Sequence, residues 1–238
     1  MSYETFSVEV GEVDYMGEYQ LCHLFNRFSK IATNSAKDIG LWNPEMLNQY
    51  GWVVAKQSLH LNQPICQRDI IELSTTVGKN TLVTFPRFYF LNKDQKQIGY
   101  CSSIWTLIDI TSRRIVSPKK IGLQVPVIEE DNPFDAPLNI DIDIPMQYIT
   151  TRQVLYSDVD TNQHMNNTRY IQWSLDLIDF HIHKEYYLSD LSIQYRKEIR
   201  PLEQVYLYLA HQNNRYIIEG RNQEDEAYFT LEIYFEKR

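Results

Sequence analysis

The run from Tyr156 to Tyr170 places Asp158, Asp160, Asn162 and His164 at every second position and then opens into an amphipathic segment. In an extended segment, such alternation sends all four side chains to one side. Carboxylate, carboxamide and imidazole gathered there can bind a metal, hold a water or transfer a proton. Aspartate, any-residue, aspartate, any-residue, asparagine is also how an EF-hand loop begins. That reading fails because the sixth position, which needs glycine for a sharp turn, is Gln163, and the twelfth, which needs a bidentate acid, is Arg169. Zinc would need further His or Cys. His23, His60, His181, His183 and His211 have no ligand spacing, and the nearest pair, His181 and His183, falls at a helix end. A structural alternative also stands: a solvated loop leading into a helix cap, with Asn166-Asn167 as good capping chemistry.

The elements that would position these residues come in two similar halves. Apolar or small residues at 24, 25, 28, 31, 32, 35, 36 and 39 predict a helix over 24–40, with Gly40 as its C-terminal cap. Small residues Ala32, Ser35 and Ala36 allow close approach to a sheet. Strands are expected at Trp52–Leu61, Asp69–Val77, Leu82–Asn92 and Ile98–Asp109. The second half repeats the order, with a helix over about Asn167–His183 and strands near Leu191–Glu198, Gln204–His211, Arg215–Arg221 and Ala227–Glu236. The segment Leu41–Gly51 gives the first half extra length. Between the halves, Pro126–Met146 holds four prolines and six acids with no basic residue, which reads as a linker. The expected division is 1–128, a linker over 129–146, and 147–238. A helix packed on antiparallel sheet, occurring twice, is an α+β layer architecture.

Composition narrows the function classes. Of 238 residues 43% are hydrophobic, enough for one large or two small domains, and 17 tyrosines favour strands or a lined pocket. No run reaches the roughly 18 apolar residues of a membrane span. The start, Met1 to Phe6, has neither a basic stretch nor an apolar core, which predicts no signal or transit peptide. Cys22, Cys66 and Cys101 form no paired motif, which suits a reducing cytoplasm. A net charge of −8 argues against a general nucleic-acid binder.

The duplicated unit resembles a tandem hotdog fold. Ser157–Trp173 is similar to the signature of the acyl-acyl carrier protein thioesterases, and Ile193-Gln-Tyr-Arg-Lys-Glu198 to that family's second signature. Gly51–Val54 and Ser103–Asp109 resemble further segments, so the likeness spans nearly the whole chain. Lacking the chloroplast extension of plant members, the sequence resembles a bacterial one. The resemblance implies hydrolysis of fatty acyl-acyl carrier protein to end chain elongation, with no cofactor. It places the catalytic set at Asp160, Asn162, His164 and Glu198.

The residue types suit that chemistry. Glu198 or His164 can activate water, Asn162 can orient the water or the carbonyl, and Asp160 would hold the loop. Backbone N–H groups at the start of the Asn167 helix are candidate oxyanion donors. Plant members often carry cysteine after the glutamate; here Ile199 follows, so attack must come from water or from Glu198 itself. In the first half Met16, Glu18 and Gln20 roughly replace the polar series and Pro64 aligns with Glu198. By the family's behaviour, that half should hold the acyl chain. An acidic carrier protein would need a local basic patch, with candidates Arg113, Arg114, Lys119 and Lys120, and Arg196, Lys197 and Arg200. The alternatives are an acyl-CoA thioesterase and a non-catalytic acyl-binding hotdog protein. Monomer and homodimer are both compatible with an internal pseudo-dimer.

Overall fold

Strand-forming runs separated by short turns pair in one antiparallel sheet of ten strands. The computed structural model describes residues 2–42 and 45–238, the side chain of Leu47 excepted. In chain order the elements are β1 (Ser2–Ser7), α1 (Leu21–Asp38), β2 (Tyr50–Leu61), β3 (Ile70–Val77), β4 (Phe85–Lys93), β5 (Lys96–Asp109), β6 (Gln147–Gln153), α2 (Asn167–Leu175), α3 (Phe180–Glu185), β7 (Tyr186–Tyr195), β8 (Gln204–Gln212), β9 (Arg215–Arg221) and β10 (Ala227–Lys237). The spatial order β1-β3-β4-β5-β2 is continued by its mirror image, β7-β10-β9-β8-β6. The halves therefore meet at β2 and β7. At the centre of that join Ser58 faces Ser192, their hydroxyls 3.0 Å apart.

Helix α1 forms where the spacing predicts one, and it buries Leu21, Leu24, Phe25, Phe28, Ile31, Ala32 and Ser35 against the sheet. Gly40, at φ +75°, closes it in the left-handed conformation that only glycine adopts without cost. The second expected helix is shorter than the periodicity suggests. It breaks after Leu175, and the Asp179 carboxylate accepts the His181 N–H at 2.7 Å to start α3 separately. Asn43 and Pro44, within the excess segment Leu41–Gly51, lie outside the described residues. The Pro-rich acidic stretch forms neither strand nor helix, yet it is fastened to the outer face of the sheet. Phe134 packs on Phe88, Phe90 and Tyr100 with ring centroids 4.5–5.6 Å apart. Lys56 donates to Asn139 at 2.6 Å, and Ile140 buries against Ala210 and Ile217. The stretch works as a strap.

Candidate active site

The polar series is not an extended segment. Asp158 ends a short 3-10 turn, and a bridge between Val159 and Met165 closes the residues between them into a tight loop. Within the loop Asp160 N–H donates to His164 O at 2.9 Å, and Gln163 N–H donates to Asp160 O at 3.0 Å. Gln163 holds φ +64°. Consequently the four side chains do not share one side. Asp158 is buried, and its carboxylate accepts the Leu155 N–H at 3.0 Å, a local structural role.

Asp160 is spent on Asn162. One carboxylate oxygen accepts the Asn162 backbone N–H at 2.8 Å, and the other accepts its side-chain Nδ2 at 3.2 Å. That leaves the Asn162 carbonyl oxygen and its second N–H for other partners. His164 comes next in the loop, and Met165 N–H donates to Ile199 O at 2.8 Å, pinning the loop to the irregular segment after β7. This bond brings Glu198 within reach, its Oε2 3.3 Å from His164 Nε2.

A fifth residue, contributed by the other half, completes the cluster. Arg113, at φ +56° in the turn after β5, grips Glu198 with both arms: Nη1 to Oε1 at 3.0 Å and Nη2 to Oε2 at 2.8 Å. Its Nη2 also lies 3.3 Å from His164 Nε2. That imidazole nitrogen cannot serve both neighbours at once. It donates to Glu198 when it carries the proton and accepts from Arg113 when it does not. In the sequence Arg113 stands only among candidate surface charges for a carrier; 85 residues separate it from Glu198, and nothing local announces the pairing. Two other patch candidates are also engaged: Lys197 pairs with Glu226, and Arg196 donates to Gln194 and Thr230.

The expected oxyanion donors are largely occupied. The N–H groups of Asn166, Thr168 and Arg169 bond respectively to Asp158 O, the Asn166 side chain and Asn166 O. Asn166 is the cap of α2, which removes those donors from chemistry. Burial pushes the thiols of Cys22, Cys66 and Cys101 up, the opposite of what a nucleophilic thiolate needs.

Asn162 also lines a cavity of about 340 Å³ whose other walls come from the first half. Ala32 and Ala36 of α1 form one side, and Trp52, Val77, Phe85 and Trp105 of the sheet form the other. Small residues on the helix leave the room between the layers.

The first half keeps the loop but not its chemistry. Val13 bridges Tyr19 as Val159 bridges Met165, Asp14 N–H bonds Glu18 O as Asp160 bonds His164, and Tyr19 N–H bonds Ile65 O as Met165 bonds Ile199. Structure thus corrects the correspondence. Asp14, Met16 and Glu18 occupy the places of Asp160, Asn162 and His164, whereas Gln20 takes the helix-cap place of Asn166. Pro64 stands at the place of Glu198. Even the arginine has a counterpart, because Arg238 after β10 pairs with Glu18.

The Acyl-ACP thioesterase N-terminal domain family matches residues 2–120, and the Acyl-ACP thioesterase C-terminal domain family matches residues 144–237. Among curated proteins, a chloroplastic acyl-[acyl-carrier-protein] hydrolase of Cuphea viscosissima is 26% identical over 218 residues, covering 83% of this chain and 52% of its own length. A dodecanoyl-[acyl-carrier-protein] hydrolase of Cinnamomum camphora is 25% identical over 215 residues, covering 82% of this chain and 55% of its own. The chain spans about half the length of these relatives. Of solved structures, an acyl-ACP thioesterase from Bacteroides thetaiotaomicron superposes with TM-score 0.89 at 23% identity, covering 98% and 97% of the two chains. A 12:0-ACP thioesterase from Umbellularia californica gives TM-score 0.80 at 17% identity, covering 99% and 97%. These share its tandem hotdog fold. With both halves matched in order, the chain belongs to the acyl-ACP thioesterase family.

Proposed function

We propose that this protein hydrolyses the thioester of a fatty acyl chain carried on acyl carrier protein, releasing the free acid and ending elongation. The observation that carries the reading is the cavity, which is built by the first half and reaches Asn162 of the second. An acyl chain seated among Trp52, Phe85 and Trp105 would present its thioester to Asn162, His164 and Glu198. The first half is then the acyl-binding domain, residues 1–128, and the second the catalytic domain, residues 147–238, with 129–146 strapping the two.

Each side chain receives a role from its contacts. Asp160 fixes Asn162 by two bonds, so the free amide groups of Asn162 orient the carbonyl or the attacking water. Glu198 or His164 takes the water's proton, the 3.3 Å contact allowing the charge to be shared between them. Arg113 holds the Glu198 carboxylate in place and brings positive charge to where the oxyanion develops. The nucleophile is water or Glu198 itself, because Ile199, the residue after Glu198, has no nucleophilic atom. The acidic carrier partner would dock on cations that form no ion pair among the described residues, for which Arg114, Lys119, Lys120 and Arg200 are candidates. Three unpaired cysteines favour a reducing cytoplasm, and among the described residues no helix is long and apolar enough to cross a membrane.

Purified protein is expected to release free fatty acid from acyl-acyl carrier protein and to do so far more slowly with Glu198→Ala. Faster hydrolysis of the matching acyl-CoA than of the carrier-bound chain would replace this reading with an acyl-CoA thioesterase. Acyl binding without turnover of either would leave a binding protein.

A further inference from the structure

One residue of the acyl cavity has the wrong chemistry for a plain hydrocarbon chain. Arg87, on the inner face of β4, is only 5% exposed, yet it lines the cavity. A guanidinium has five N–H donors. Among the described residues its side chain has one hydrogen-bond partner, the Thr75 hydroxyl, 3.3 Å from Nη1, and no carboxylate pairs with it. Burial works against its charge, and the neighbour that counters this is a phenol, Tyr89.

The surrounding acceptors are in use. Trp105 Nε1 donates to the Ser103 hydroxyl at 2.8 Å, Ser103 lies 3.3 Å from the Tyr89 hydroxyl, and the Thr75 hydroxyl itself donates to Phe88 O. Arg87 therefore brings donors into a cavity whose walls offer few acceptors. A buried charge without a partner is costly, so such a group marks where a ligand supplies one. Its position separates it from the reacting atoms. Arg87 stands opposite Ser103 in the β4–β5 register, and the run of β5 from Ser103 to Asp109, next to the Arg113 turn, spans roughly 20 Å.

We propose that the cavity selects acyl chains bearing an acceptor oxygen, a hydroxyl in particular, on the part remote from the thioester, and that Arg87 is the residue that recognises it. A plain chain of the same length would seat methylenes against N–H groups that face the cavity and would strip them of any other partner. A distal hydroxyl would accept from the guanidinium and remove that penalty. The proposal rests on the acyl-site reading above and adds the class of chain.

Two measurements on the full chain test it. Binding of free fatty acids of one length, unsubstituted or hydroxylated at mid-chain or at the end, is followed by calorimetry. kcat/KM is then measured on the same acyl groups attached to carrier protein. At least one hydroxylated isomer should exceed the unsubstituted chain by tenfold or more in affinity and in kcat/KM. Arg87→Leu should erase or invert that ratio while still hydrolysing the unsubstituted chain, and Arg87→Lys should keep part of it. An unsubstituted chain that binds as well as every hydroxylated isomer overturns the proposal, as does a hydroxyl advantage that survives Arg87→Leu. The wild-type comparison stands even if a variant fails to fold. Absence of all turnover would count against the thioesterase reading, while the fatty-acid binding comparison would still decide the role of Arg87.

Discussion

At the residue scale the site is a loop that fixes an amide and an imidazole beside a carboxylate held from outside. Losing a general base typically costs about 10²–10⁴ in rate. Glu198→Ala and His164→Ala are each expected to lower kcat by that much in steady-state assays, and Asn162→Ala by about 10²–10³. Groups acting as one unit are non-additive, so the Glu198/His164 double variant should be scarcely slower than the slower single. Arg113→Met tests positioning. Without the two guanidinium bonds the Glu198 carboxylate loses its fixed place beside His164, so kcat should fall while KM changes little. An unchanged kcat would show that Arg113 only fills space. The types of Asp160, Asn162, His164 and Glu198 and the spacing of the first three were legible in the chain. Their geometry was not, because period-two alternation implies extended backbone, whereas Gln163 turns left-handed and Asp158 faces inward. Arg113 was legible only as a charge.

At the element scale the strongly periodic segments were the readable ones. Helix α1 and strands β2–β5 and β8–β10 follow from apolar spacing, because each has a buried face, whereas β7 (Tyr186–Tyr195) starts before the expected Leu191 and ends before Glu198. Strands β1 and β6 left no such signal. Both lie at the outer edges of the sheet, and Ser2–Ser7 and Gln147–Gln153 bury little beyond Phe6. The break between α2 and α3 lacks glycine or proline; only the cap residue Asp179 marks it. Helix α1 offers the clearest lever on the cavity. Ala36 is small and lines it, so Ala36→Phe should shorten the preferred acyl chain by occupying volume. Profiling hydrolysis across chain lengths checks this, and an unchanged profile would move the acyl chain elsewhere.

At the scale of the whole molecule, the two halves share one sheet and each lends an arginine to the other's loop. The join carries a titratable pair. His60 Nδ1 lies 2.7 Å from Asp190 across β2 and β7, and its Nε2 lies 3.0 Å from the Asn62 side-chain oxygen, an arrangement suited to the doubly protonated ring. Burial lowers the His60 pKa, but the Asp190 bond and charge outweigh it, and the net shift is upward. A folded-state value above the unfolded one adds stability at pH below the ordinary histidine value of about 6.5, and this is lost as pH rises through the folded value. Thermal melts should therefore show the wild type losing more Tm than His60→Gln between about pH 6 and pH 8. Equal losses would place the join's stability in its backbone ladder.

The β2–β7 ladder also has a history within each chain's synthesis. Lys56 to His60 find their partners only when Asp190 to Gln194 have emerged. At about 5–20 residues per second the outer edge of β2 stays open for roughly 6–25 s. An open edge is a template for another copy, and the residue at its centre, Ser58, already pairs with the equivalent serine of the second half. A fragment of residues 1–128 is thus expected to sediment as a dimer joined β2 to β2, and Ser58→Pro, which removes a ladder donor, should return it to monomer. A wild-type fragment that is monomeric and soluble would show that nascent β2 is shielded by its own half.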